Sequence, residues 1–224
     1  MFICESINMA EDWLQGIALV DGPERQAVGR TLDLYLKEML RWNRRINLTS
    51  ITDFAVAREK HILDALSLLP LIDGVSSILD MGSGAGLPGV PLQVVCPDLR
   101  VVSVDSVTKK ISFQRHVKRL LNLENFEPIC ARLEHLDQVF EKSQTFSVVT
   151  CRAFSSLRDI VRFAAPWLAP TGKILAMKGP DGRDEWQRQA ADIIPFGFVL
   201  SDVYDYQLPR SASQRQVLVL KKSP

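Results

Sequence analysis

The stretch Ile78-Leu79-Asp80-Met81-Gly82-Ser83-Gly84-Ala85-Gly86-Leu87-Pro88-Gly89 sets an aspartate just ahead of glycines at every second position. Apolar residues run into the acid, and prolines follow where a helix can begin. This pattern describes a buried strand ending in a tight turn whose bare backbone can lie against a ligand, followed by a helix whose first amides point at it. A second strand, residues 100–104, then leads into Asp105-Ser106. A carboxylate at that point of a βαβ unit accepts hydrogen bonds from a ribose diol, so the ligand should be a nucleoside.

Asp80 narrows the choice of nucleoside. A pyrophosphate would be repelled by its carboxylate, whereas a ligand with an ammonium and a sulfonium would be attracted. S-adenosylmethionine is therefore expected in preference to NAD, held by Asp80, Gly82, Ser83, Gly84, Gly86, Asp105 and Ser106. The alternative role for the two aspartates is turn or helix capping. No Gly-Lys-Ser or Gly-Lys-Thr follows the glycines, which disfavours a P-loop kinase or ATPase.

Other candidate groups fall beyond the carboxyl ends of later strands, where open α/β sheets carry their chemistry. They are the run Arg132-Leu133-Glu134, the segment Arg152-Ala153-Phe154, and Lys178. Methyl transfer from a sulfonium is an in-line displacement that demands mainly alignment. No Pro-Pro-aromatic clamp for an exocyclic amine is present. Cys151 has no preceding proline and ends an apolar strand, so packing is favoured over covalent attack. A ring nitrogen with a free lone pair would need neither device.

Two clusters suggest contact with a polyanion. Arg41, Arg44 and Arg45 surround Trp42, with Asn43 and Asn47 nearby, a set that can grip phosphates and stack a base. The competing view is a solvated helix end with Trp42 half buried. Lys109, Lys110, Arg115, Lys118 and Arg119 share a helical segment with no acid between Thr108 and Arg119. His61, on a mixed helix face beside Asp64, reads from its setting as a structural histidine.

The elements that position these groups follow from periodicity. A helical pattern from Glu24 places Val28, Leu32, Leu36, Met39 and Leu40 on one stripe, after a short amphipathic piece with Trp13, Leu14, Ile17 and Leu19. A second helix is capped by Ser50 or Thr52 and runs to Pro70. Strands are expected at residues 77–81, 100–104, 126–130, 145–151, 173–177, 198–206 and 216–221, and helices at 88–95, 108–122, 157–168 and 185–191. Phe113, Val117, Leu120 and Leu121 should face inward from the basic helix, and Pro170-Thr171-Gly172 should form a turn. The result is an α/β, Rossmann-like, doubly wound and mostly parallel sheet with an antiparallel edge hairpin, over which residues 1–70 form a helical cap on a core of residues 71–224.

Composition fits one such unit. The 224 residues are 46% hydrophobic and 24% charged, enough for a sizeable core. With 27 basic and 26 acidic residues, any basic surface must be local. Cys4, Cys96, Cys130 and Cys151 lack C-x-x-C spacing and read as reduced thiols of a cytoplasmic protein, with no metal site. No apolar run is long enough to span a bilayer, and no long unexplained apolar stripe demands a partner, so a monomer without membrane insertion is expected.

The chain resembles the bacterial glucose-inhibited division protein B family of 16S ribosomal RNA guanine-N7 methyltransferases. The resemblance rests on Trp42-Asn43-x-x-Ile46-Asn47-Leu48-Thr49, His61-Ile62-Leu63-Asp64, the run from Asp80 to Leu92, Asp105-Ser106 with Lys109-Lys110, Arg152-Ala153-Phe154, Lys178-Gly179 and Arg215-x-x-Leu218-Val219. Ser83 and Ala85 stand where the family more often has Thr and Pro, and Ala65 where it often has Ser. The resemblance implies methyl transfer from S-adenosylmethionine to N7 of a guanine in the decoding region of the small ribosomal subunit. It implies cofactor contacts from Gly82, Leu87, Leu133, Glu134 and Arg152, positioning roles for Arg152 and Lys178 without a general base, and RNA contacts that add Lys60, His61 and Arg215 to the basic positions above. An NAD-linked oxidoreductase and an RNA-binding assembly factor without catalysis are the competing classes, and the loop from Arg210 to Arg215 has no assigned role.

Overall fold

The computed structural model describes residues 13–14, 22–152 and 156–223. Ile17, Leu19, Cys4 and the segment Ala153-Phe154-Ser155 lie outside the described residues. The sheet has seven strands: β1 (Ser77–Met81), β2 (Arg100–Asp105), β3 (Phe126–Cys130), β4 (Phe146–Arg152), β5 (Leu168–Lys178), β6 (Phe198–Gln207) and β7 (Gln214–Lys222). Their spatial order is β3-β2-β1-β4-β5-β7-β6, parallel through β5, with β7 and β6 antiparallel. The direction of winding reverses between β1 and β4, so the carboxyl ends of those two strands open onto a shared crevice.

Period-two alternation splits the strand residues between two apolar layers. Ile78, Val101, Val148, Leu175 and Val217 face the layer of α1 (Gly22–Ile46), α4 (Gly89–Val95) and α5 (Thr108–Leu120). Leu79, Val102, Val149, Ile174 and Leu218 face the layer of α6 (Leu157–Ala164) and α7 (Gly182–Ile193). Burial on both faces explains why β1, β2 and β4 are almost continuously apolar.

The N-terminal helices share the first layer. Leu32, Tyr35, Leu36 and Met39 of α1 are fully buried at helical spacing, with Val28 and Leu40 packed at the margin. α2 (Phe54–Ala57) begins at Asp53, whose side chain accepts from the Val56 amide, so the cap is neither Ser50 nor Thr52. It widens into a π-helical turn, Arg58–Leu63, and closes as α3 (Asp64–Leu66). Arg58 forks onto Asp33 with contacts of 2.7–3.0 Å, joining this segment to α1.

Other expectations shift in detail. Leu120 is 39% exposed, whereas Gln114 of the same helix is buried. Pro170-Thr171-Gly172 belongs to β5, as an irregularity that interrupts its pairing with β4. A Cβ at Gly172 would stand 2.9 Å from the Leu168 side chain and 3.0 Å from the Ser147 carbonyl, so glycine lets the strands approach closely there. α7 starts three residues before Glu185, at Gly182, and the hairpin strands β6 and β7 run longer than expected.

Candidate functional site

The glycine turn joins β1 to α4. Gly82, Gly84 and Gly86 all have positive φ. At Gly84, φ is +59° and nothing lies within 4 Å of where a Cβ would stand, leaving open space over bare backbone. Gly89 is different: a Cβ there would meet Asp80 Oδ2 and Val101 at 2.9 Å, so this glycine lets α4 seat closely on the sheet.

Both aspartates expected at the ligand are built into this turn. Asp105 Oδ2 accepts the Gly84 amide at 2.9 Å and Oδ1 the Val107 amide at 2.8 Å, with Lys110 Nζ 3.8 Å away. Each carboxylate oxygen has a second lone pair, so the acid can brace the turn and still accept from a diol. Asp80 is fully buried, and its Oδ2 accepts the Gly89 amide at 3.0 Å. Among the described residues its Oδ1 finds no hydrogen-bond partner. Burial pushes the Asp80 carboxyl up to about 7, against the Gly89 amide and Arg152, which favour its ionised form. Asp80 therefore sits beneath the turn rather than along the cleft beside it.

That cleft, about 200 Å³, is lined by Gly82, Val104, Asp105, Ser106, Ala131, Arg132, Leu133 and Glu134. It runs across the carboxyl ends of β1, β2 and β3. Of the residues expected at the cofactor, Gly82, Asp105, Ser106, Leu133 and Glu134 line it. Gly84, Gly86 and Arg152 are not among its lining residues, nor are Ser83 and Leu87, whose side chains are buried, Ser83 bonding Val104 O and Gln114 and Leu87 joining the apolar core.

Two braces of the turn were not evident in the sequence. Gln114 of α5 donates to Ser83 Oγ and Gly84 O, both at 2.8 Å. The Tyr35 hydroxyl of α1 donates to Ala85 O. Gln114 lies on the inward face of a helix whose outer face is basic, and Tyr35 lies within a hydrophobic stripe, so neither stands out by type.

A second pocket, about 350 Å³, opens at the ends of β4 and β5. Its walls are Ile51, Lys60, His61, Asp64, Arg152, Met177, Lys178, Gly179, Tyr206 and Arg215. Arg152 donates to Lys60 O at 3.1 Å and faces His61 Nδ1 at 3.3 Å. His61 Nε2 lies 2.8 Å from Thr49 Oγ1. Nδ1 also lies 3.2 Å from the Lys60 carbonyl, so it faces both a donor and an acceptor. Burial, with help from Arg152, holds the imidazole down at about 4, so it is neutral. Lys178 Nζ bonds Glu185 Oε1 at 2.9 Å, and the same oxygen accepts the Leu157 amide. Burial pushes the Cys151 thiol up to about 12, in keeping with a packing role.

The structure divides the residues expected at RNA. Arg41, Arg44 and Arg45 are exposed at the end of α1, and Lys109, Arg115 and Arg119 are exposed on α5, while Lys110 and Lys118 are partly covered. Trp42 stacks on His116 of α5, bringing the two basic groups together. Asn43 bonds both the amide and the carbonyl of Thr49, and Asn47, at φ 53°, turns the chain out of α1, so Asn43 and Trp42 serve packing and turn formation. Lys60, His61 and Arg215 are instead at the second pocket.

The family model described as rRNA small subunit methyltransferase G matches residues 29–216. The chain belongs to this family. A relative from Syntrophotalea carbinolica named Ribosomal RNA small subunit methyltransferase G is 49% identical over 190 residues, covering 85% of this chain and 87% of that protein. A relative of the same name from Geobacter sp. is 41% identical over 193 residues, covering 86% and 88%. The crystal structure of the N-methyltransferase NodS from Bradyrhizobium japonicum in complex with S-adenosyl-L-homocysteine shares the fold, with a TM-score of 0.54 at 14% identity, over 87% of this chain and all of that one. Membership in the rRNA small subunit methyltransferase G family accords with the sequence resemblance.

Proposed function

We propose that this chain transfers a methyl group from S-adenosylmethionine to N7 of a guanine in 16S ribosomal RNA of the small subunit. The observation that carries the reading is a pair of clefts at the carboxyl ends of the parallel strands: one over β1, β2 and β3, and a cationic pocket at the ends of β4 and β5. The Gly82 backbone and the Asp105 carboxylate on its wall, with open space over the neighbouring Gly84, fit the first cleft to the cofactor. S-adenosylmethionine, when bound, supplies an electrophilic methyl on sulfur.

The chain's own groups then act by alignment. Gly82 and Gly84 offer backbone to the cofactor, Asp105 accepts from its ribose, and Leu133 and Glu134 border its base. The N7 lone pair of guanine forms the new bond to the methyl as the carbon–sulfur bond breaks, the bonding pair leaving with sulfur. N7 carries no proton, so no side chain has to remove one. Arg152 and Lys178 orient the target through O6 or phosphate, since the methylated base gains positive charge and would be repelled by a cation at N7. Arg41, Arg44, Arg45, Lys109, Arg115 and Arg119 grip RNA outside the pocket.

In this reading residues 1–70 cap a catalytic core of residues 71–224, and the enzyme acts in the cytoplasm as a monomer. Among the described residues no helix is long and apolar enough to cross a membrane. Incubation with methyl-labelled S-adenosylmethionine and small subunits that lack the modification tests the reading. Label entering 16S RNA supports it. Cofactor binding without incorporation would identify a non-catalytic RNA-binding factor instead.

A further inference from the structure

At the floor of the second pocket a buried carboxylate joins four chain segments. Asp64, in α3, has a side chain only 7% exposed. Its Oδ1 accepts the Tyr206 hydroxyl of β6 at 2.9 Å and lies 3.5 Å from Arg215 Nε of β7. Its Oδ2 lies 3.6 Å from Arg152 Nη1 at the end of β4. Two guanidiniums thus face one carboxylate, and the cluster is a net cation.

Both ion pairs are longer than the ~2.7–2.9 Å of a charge-assisted hydrogen bond. Asp64 therefore acts on the guanidiniums by charge rather than through a close hydrogen bond, while Arg152 donates to Lys60 O and faces His61 Nδ1, and Arg215 Nη1 donates to Gln214 O. A buried ion cluster is weak evidence for stability, since apolar residues of similar volume would hold the fold as well. Its place on the wall of a pocket points to recognition.

A second carboxylate of the same segment strengthens this view. Glu59, also buried, accepts the Arg210 and Ser211 amides of the loop between β6 and β7. Burial would raise its carboxyl, but the Ser211 and Arg210 amides outweigh that and hold it below the usual range. The π-helical turn places Glu59 against this loop while Asp64, at the segment's end, reaches Arg215 just beyond it.

Building on the function proposed above, we infer that Asp64 is a positioning residue for methyl transfer: it sets Arg152 and Arg215 around the second pocket so that their combined positive charge receives a phosphate of the target nucleotide. The loop from Arg210 to Arg215 thereby becomes part of the substrate site, held from below by Glu59.

The test compares Asp64→Asn, which keeps an oxygen for the Tyr206 hydroxyl but loses the charge, with Asp64→Glu and Tyr206→Phe. Methyl transfer to unmodified small subunits is measured at saturating S-adenosylmethionine, with cofactor affinity by calorimetry and thermal melting in parallel. In Asp64→Asn, kcat/KM for the subunit should fall on the order of 10- to 100-fold, the scale of a displaced positioning group, while cofactor affinity stays within about 2-fold. Asp64→Glu should recover part of the loss, and Tyr206→Phe should lose less than Asp64→Asn. Unchanged kcat/KM in folded Asp64→Asn overturns the inference, as does a matching loss of cofactor affinity, which would mark general damage to the site. Should Asp64→Asn fail to fold, Arg215→Gln decides: a loss confined to the RNA side supports the inference and unchanged kcat/KM overturns it. A wild-type protein that methylates no small subunit overturns the proposed function itself, a result read before any variant is compared.

Discussion

The Tyr35 hydroxyl donates to the Ala85 carbonyl at 2.9 Å, so a helix fifty residues upstream holds the glycine turn in place. Both groups are buried. Tyr35→Phe would strand a carbonyl without a partner, at a cost of about 1–3 kcal/mol. Denaturant unfolding of Tyr35→Phe should show that loss together with weaker cofactor binding. A variant as stable as the wild type would show that the contact does not hold the turn.

Asp105 has two tasks, bracing Gly84 and Val107 and accepting from a ribose. Asp105→Ala should weaken S-adenosylmethionine binding by about 1–3 kcal/mol in calorimetry. Unchanged affinity would remove Asp105 from the cofactor site.

Asp80 gives stability a pH dependence of defined sign. Its carboxyl is raised from an ordinary 3.8 to about 7 by burial, so the folded chain binds this proton more tightly than the unfolded chain. The contribution is complete below about 3.8 and is lost as pH rises through about 7. Asp80→Asn, measured against wild type by urea unfolding from pH 4 to pH 8, should remove that slope, and its relative stability should increase toward pH 8. Parallel profiles for the two proteins would show that Asp80 is ionised throughout.

The exposed cations of α5 should act on RNA through phosphate. Replacing Lys109, Arg115 and Arg119 with alanine removes three charges, and each phosphate contact contributes about 0.7–0.9 to the slope of log affinity against log salt. The slope should fall by roughly 2–3 if all three make contact. An unaltered slope would make this face a solvated surface only.

The central strands β1, β2 and β4 were legible because they are buried on both faces and read as apolar runs. β3 lies at Phe126–Cys130, where the pattern placed it. The cleft beside Gly82 and Asp105 was legible because glycine spacing and an acid at a strand end are local signals. What sequence could not show depends on long-range contact. The π-helical turn adds a residue to a helical turn without altering the pattern, yet it carries Lys60 O to Arg152 and Glu59 to the Arg210 loop. Gln114 and Tyr35 are ordinary residues whose roles appear only when α5 and α1 pack on the glycine turn. The side chains of Ser83 and Asn43 look like ligand groups by type and neighbourhood, but Ser83 bonds Gln114 and Asn43 bonds Thr49. Asp64 sits in a familiar short motif, and its link to Arg215 spans most of the chain.

The most direct measurement is the position of the transferred methyl. Small-subunit RNA methylated by this protein is reduced and treated with aniline, which cleaves the strand at N7-methylated guanine, and the cut is mapped by primer extension. A single new cut at one guanine of 16S RNA, dependent on S-adenosylmethionine, is the expected result. Label fixed in the RNA without aniline-sensitive cleavage, or on a base other than guanine, would contradict N7 transfer.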